Sequence, residues 1–238
     1  MSTELLLILE IVIVFGLMVL VSKFLKKEGL IAWVAIASVL ANLFTVKSAV
    51  LFNNMDWGTT CGTVLFASTF LATDILTELY GVKYAKKAVI VGACSTIFFL
   101  FASQWLLLYP SAPWSMEAQE SLSAVFAISL RVSISSVIMY IIANLADVYL
   151  YSALKKKTQG KHMWLRNNVS TILCNCLENF LFMFGAFLFL PGYDVKTILI
   201  MALTTSAVEA LIGFCDTPFL YLTRKVCKKD AAPLSETV

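Results

Sequence analysis

The chain has almost nothing with which to build a metal cage or a disulfide framework. A single histidine, His162, and six scattered cysteines without a C-x-x-C pair argue against a His/Cys metal site and a stapled secreted scaffold. The cysteines read as small packing residues. No G-x-x-x-x-G-K-[ST] phosphate loop is present, so the chain does not hydrolyse ATP itself. No G-x-S-x-G elbow appears, and the lone histidine falls in a lysine-rich loop rather than beside a nucleophile. Charge is also scarce: 14% of the 238 residues are charged against 60% hydrophobic. That composition belongs in lipid.

What is present is length in apolar runs. Seven stretches, near 4–25, 30–51, 60–80, 86–108, 122–153, 168–190 and 196–222, are each long enough for a hydrocarbon core of about 30 Å, which takes roughly 20 helical residues. The connections between them, such as Asn53 to Gly58, Tyr109 to Trp114 and Pro191 to Asp194, are rich in turn formers. The expected fold class is therefore all-α, a polytopic transmembrane helix bundle of about seven spans. Residues 1–229 form a single transmembrane domain and 230–238 a disordered cytoplasmic tail. The first run follows Glu4 and precedes Lys23, Lys26 and Lys27, the reverse of a signal peptide, so it is expected to be retained.

The lysines and arginines fix an orientation. Alternate loops hold Lys23, Lys26 and Lys27; Lys83, Lys86 and Lys87; Lys155, Lys156, Lys157, Lys161 and Arg166; and Arg224, Lys225, Lys228 and Lys229. The opposite loops hold only Lys47 and Lys196. Basic residues accumulate on the cytoplasmic side, which predicts an outside N-terminus and a cytoplasmic C-terminus. Since these lysines sit at span ends, topology accounts for them and nucleic-acid binding is not implied.

Seven acids nevertheless lie inside the runs: Glu10, Asp74, Glu78, Asp147, Glu178, Glu209 and Asp216. A charge at the bilayer centre costs about 2.5 to 3.5 kcal/mol on insertion scales, so such residues face a cavity or a partner. Asp74 and Glu78 stand one helical turn apart on one face, close enough that one would tend to stay protonated. Asn175, Glu178 and Asn179 form a polar stripe at i, i+3 and i+4, and Asn144 with Asp147 repeat the spacing of three. Arg131 is the one basic residue placed well inside a run rather than at its end, and can pair with only one or two of the acids. Interhelical hydrogen bonding alone accounts for Glu10 and Asp216, which lie nearer span ends.

The stretch Ala72-Thr73-Asp74-Ile75-Leu76-Thr77-Glu78-Leu79-Tyr80-Gly81, followed by Lys83, Ala85 and Lys86, resembles the signature of the queuosine-precursor transporter family, small vitamin-uptake-like membrane proteins. Arg131, Ser135-Ser136, Asp147-Val148-Tyr149 and Trp164-Leu165-Arg166-Asn167-Asn168-Val169-Ser170-Thr171 resemble its later half. In one place the chain departs: the family usually carries an aspartate and a small hydroxyl residue where Glu178 and Asn179 stand. The resemblance implies import of a 7-deazaguanine base (7-cyano-7-deazaguanine, 7-aminomethyl-7-deazaguanine or queuine) across a bacterial inner (plasma) membrane, for insertion into tRNA. It implies no cofactor and no nucleic acid bound directly, and a protein acting alone or as a homodimer.

The residues suit such a base. A guanine-like edge offers adjacent N–H donors to a carboxylate, its carbonyl needs a donor, and its rings need an aromatic slot. Glu178 with Asn175 or Asn179 is the leading recognition set, with Asp74, Glu78 and Arg131 next. Asp147, Asn144, Glu209, Trp164, Asn167 and Asn168 are candidates for gating or coupling, although Asn167 and Asn168 equally suit capping of a helix. Two competing readings remain: the substrate-binding membrane subunit of an energy-coupling importer with a separate ATPase, disfavoured by the resemblance, and, from another class, an intramembrane aspartyl enzyme using Asp74 and Asp147.

Overall fold

The computed structural model describes residues 2–52, 57–126, 130–189 and 193–227, with the side chains of 130–133 outside the described set. The expected tail at 230–238 lies outside it too. Among the described residues there are seven α-helices: α1 (Thr3–Phe44), α2 (Thr63–Leu79), α3 (Val82–Leu107), α4 (Met116–Phe126), α5 (Leu130–Lys157), α6 (Met163–Phe187) and α7 (Val195–Val226). Helices α1, α3, α5, α6 and α7 are long and apolar enough to cross a membrane. Their outer faces carry Phe24, Phe98 and Phe101, each more than half exposed.

α1 is two helices. Lys26 breaks it at φ 52°, ψ −140°, and 42 straight helical residues would span about 63 Å. Yet the Glu4 carboxylate accepts from the Phe52 backbone N–H at 2.7 Å. Only eight residues separate Phe44 from Phe52, so the two halves must run antiparallel. Gly29 makes the reversal possible, since a Cβ there would collide with the side chains of Leu25 and Val21. The runs expected at 4–25 and 30–51 are thus one hairpin. Its second arm stops at Phe44 because Ser48–Val50 (β1) leaves the helix to pair antiparallel with Gly58–Thr60 (β2).

The run expected at 122–153 is likewise divided. α4, with no buried residue, precedes the membrane-length α5, which continues to Lys157. α6 begins at Met163, five residues before the expected boundary. The α2–α3 corner is made by Gly81 at φ 92°, ψ 163°, a backbone conformation essentially reserved to glycine, and its N–H and that of Tyr80 both reach the Leu76 carbonyl. At the start of α7, Asp194 accepts from the Thr197 N–H at 3.1 Å, and that bond holds its carboxyl below the usual range.

α2 is the axle. Phe70, Leu71, Ile75, Leu76 and Leu79 have at most 1% exposure, so it is buried all round rather than amphipathic, packed among α1, α3, α5 and α7. Its N-terminus approaches α1 so closely that a Cβ on Gly62 would overlap the Ala41 carbonyl oxygen. A backbone atom cannot swing aside as a side chain can. Gly62→Ala is expected to cost about 1–3 kcal/mol through the forced shift, seen as a lower melting temperature in detergent. Gly16→Ala, with nothing within 4 Å of the added carbon, is the neutral control.

Candidate functional site

The polar residues inside the bundle sort into three levels, and α6 contributes to all of them. The first is a cavity of about 290 Å³ at the end of the bundle where α1 finishes and α2 and α7 begin, away from the lysine-rich turns. Its size falls near the lower end of small-molecule sites. Phe66 and Phe182 give it aromatic walls, and Glu178, Asn179 and Glu209 give it acids and an amide. Asn179 Nδ2 donates to Glu209 Oε2 at 2.7 Å, which fixes both groups. Glu178 Oε2 is buried without a partner. Ser136 donates to Asn42 Oδ1 at 3.1 Å in the same wall, and the unpartnered hydroxyl of Tyr140 lies against Gly92. The arrangement offers acceptors and flat apolar surface to a small ring system.

At the second level, on the buried side of the cavity, are Asp74 from α2, Asp147 from α5 and Asp216 from α7, none more than 1% exposed. Asp74 Oδ2 accepts from Thr171 at 3.5 Å and Asp216 Oδ1 from Asn167 Nδ2 at 2.6 Å. Asp147 stands beside Asp74, Ser170 and Thr171. Asn168 Nδ2 donates to Thr217 at 2.9 Å and to the Trp164 carbonyl at 2.8 Å. No group of three or more His, Cys, Asp and Glu side chains among the described residues is arranged to hold a metal ion.

The third level closes the lysine-rich end. Glu78 Oε2 lies 2.7 Å from Arg166 Nη2 and 3.4 Å from Lys155 Nζ, while Oε1 lies 3.4 Å from Arg224 Nε. The Tyr151 hydroxyl donates to the same carboxylate at 3.3 Å, and its ring lies under the Arg166 guanidinium at 5.3 Å. Lys155 also donates to the carbonyls of Thr77 and Glu78, which the end of α2 leaves free. One acid thus ties together α2, α5, α6 and α7.

The structure brings Glu178, Asn179 and Glu209 into one cavity and separates them from the other candidates. Asn175, 1% exposed, lies outside the cavity lining with Oδ1 unpartnered. Asn144 is fully buried and donates to the Tyr140 carbonyl. Trp164 is half exposed at the start of α6, its backbone N–H donating to the Tyr221 hydroxyl. Asn167 and Asn168 are not caps, since His162 holds that position and both amides reach across to α7. Asp74 and Glu78 do not share a proton along one face: Glu78 faces three cations and Asp74 faces other aspartates. The Arg131 side chain lies outside the described residues. Among the described residues, the bases that meet a buried acid are Lys155, Arg166 and Arg224, all expected in loops, and the first two are buried at 2% and 0% exposure. Tyr140, Asn42 and Tyr151 were absent from the candidates. A lone Asn42 in an apolar run was a visible signal, whereas two tyrosines in a tyrosine-containing helix were not.

The family model described as "Putative vitamin uptake transporter" matches residues 60–223, which include most of the residues named above. The chain is 32% identical over 220 residues to the "Probable queuosine precursor transporter" of Bacillus subtilis, covering 92% of this chain and 93% of that one. It is 26% identical over 137 residues to the "Queuosine precursor transporter" of Escherichia coli, covering 56% and 57%. No solved structure matches the chain significantly. With more than half its length matched by the family model and a relative aligned nearly end to end, the chain belongs to the putative vitamin uptake transporters, a family of multi-pass membrane transporters and not of enzymes.

Proposed function

We propose that the chain imports a 7-deazaguanine precursor of queuosine (7-cyano-7-deazaguanine, 7-aminomethyl-7-deazaguanine or queuine) for tRNA salvage. The observation that carries this reading is the cavity: an unpartnered Glu178 oxygen beside the Asn179–Glu209 pair, between the rings of Phe66 and Phe182. A carboxylate so placed accepts the adjacent N–H groups of a guanine-like edge, and aromatic walls hold its rings. The names carried by the B. subtilis and E. coli relatives agree with this substrate class.

The helices make seven crossings in this reading: the two arms of α1, then α2, α3, α5, α6 and α7. The N-terminus is outside and the lysine-rich ends are cytoplasmic, in a bacterial plasma (inner) membrane. The cavity then faces outward and the Glu78 cluster closes the inner side. The protein works without a separate ATPase, alone or as a homodimer.

The test is the queuosine content of tRNA in a bacterium that neither makes the precursor nor has its own importer, fed each base at low concentration. Expression of this chain is expected to restore queuosine with at least one base. No restoration by any base from a protein confirmed in the membrane would overturn the substrate assignment.

A further inference from the structure

The second level contains more acceptors than its side chains have hydrogens to offer. Asp147 leaves both carboxylate oxygens without a partner, Asp74 leaves Oδ1 and Asp216 leaves Oδ2. The α6 side chains beside these acids already donate elsewhere in the cluster, Thr171 to Asp74 Oδ2 among them. Asn167 Nδ2 serves Asp216 and Thr217, Asn168 Nδ2 serves Thr217 and the Trp164 carbonyl, and Ser170 donates to the Asn167 carbonyl. A separate observation points the same way. The Asn167 amide, held against Asp216, buries its own Oδ1 at 0% exposure with no donor facing it.

Buried acceptors without donors are costly, and neighbouring carboxylates cannot all remain ionised. The titratable groups facing Asp147 are Asp74 from α2, Cys174 from α6 and Asp216 from α7, with Arg166 acting on Asp74 from the third level. Arg166 is held at the third level, Nη2 on Glu78 and Nη1 on the Lys161 carbonyl, with Nε buried and unpartnered. What would satisfy these oxygens is hydrogen carried on the carboxyls themselves. A metal ion would need a convergent set of ligands, and none is arranged among the described residues.

We infer that Asp74, Asp147 and Asp216 form a proton-binding site that couples transport to the proton gradient. The site lies between the cavity and the Glu78 cluster, on four helices that the two levels share. A proton bound from the outer side and released to the inner side returns the same carboxyls to their starting state and carries one positive charge inward, with no other co-reactant. Pro218, two residues beyond Asp216 in α7, removes one backbone hydrogen bond of that helix beside the site, so α7 can bend there.

This inference rests on the proposed substrate only for its transport arm. The first measurement needs no substrate: infrared spectra of the purified protein in lipid at stepped pH. A protonated-carboxyl band is expected near neutral pH and is expected to weaken in Asp147→Asn, or in Asp216→Asn if the first variant fails to insert. Absence of such a band, or its persistence unchanged in an inserted variant, overturns the site. The second measurement is uptake of 7-aminomethyl-7-deazaguanine into proteoliposomes with and without an inside-alkaline gradient. One proton carried per base raises accumulation about tenfold per pH unit, and the variant is expected to lose that ratio. A parent indifferent to the proton gradient, or driven instead by sodium, overturns the coupling. If the parent takes up none of the three bases, the substrate assignment fails while the infrared result still decides the site.

Discussion

Glu78→Gln is expected to destabilise the folded bundle by about 3–5 kcal/mol, because it leaves cations buried with no counter-charge. Glu78 has 3% side-chain exposure, and Arg166 and Lys155, which it meets, have 0% and 3%. A glutamine keeps the shape and one acceptor oxygen but not the charge. Arg224, whose side chain is 46% exposed, can turn outward; the other two cannot. Thermal unfolding in detergent is expected to show the loss, and Glu78→Gln combined with Arg166→Met is expected to recover part of it by removing one stranded charge. A single variant as stable as the parent would mean that Glu78 is not the counter-ion holding these helices together. The same loss is expected to open the lysine-rich end, so a cysteine placed at Thr77 would become reactive to a soluble thiol reagent.

The second large effect falls on binding. Glu178→Gln exchanges an acceptor for a group that must also present N–H donors to the ligand. Hydrogen bonds to a charged group are worth about 1.5–3 kcal/mol, so affinity for a deazaguanine base is expected to fall roughly 10- to 150-fold. The bundle itself should be unharmed, since Glu178 Oε2 has no protein partner to lose. Asn179→Ala is expected to act differently: it releases Glu209 Oε2 from its 2.7 Å bond and so disturbs both stability and binding. Equilibrium binding of the radiolabelled base to membranes distinguishes the two. Unchanged affinity in Glu178→Gln would move recognition away from this carboxylate.

How much of this was legible in the sequence depends on whether partners were local. The Asn175, Glu178 and Asn179 stripe depends only on helical spacing, and two of its three members do reach the cavity. The apolar runs were visible for the same reason. The boundary between α5 and α6 was not, because Lys155 and Arg166 look like loop residues until Glu78 is brought to them from 77 and 88 positions away. Residues 45–51 continued an apolar run, yet the pairing of Ser48–Val50 with Gly58–Thr60 is set by a partner strand outside that run. Asp216 looked peripheral from its distance to a span end, but Asn167 meets it from α6 at 1% exposure.

The composition of α2 bears on how the protein is made. In the proposed seven-crossing arrangement that helix is a 17-residue crossing carrying Asp74 and Glu78, while the cations that meet Glu78, Lys155 and then Arg166, are synthesised 77 and 88 residues later. At about 5–20 residues per second the ribosome takes roughly 4–15 seconds to reach the first of them. During that interval α2 has no counter-charge, and a lone helix with two acids is a poor candidate for stable release into lipid. Biogenesis therefore favours holding α2 at the insertion machinery, or at the bilayer surface, until α5, α6 and α7 arrive to receive it.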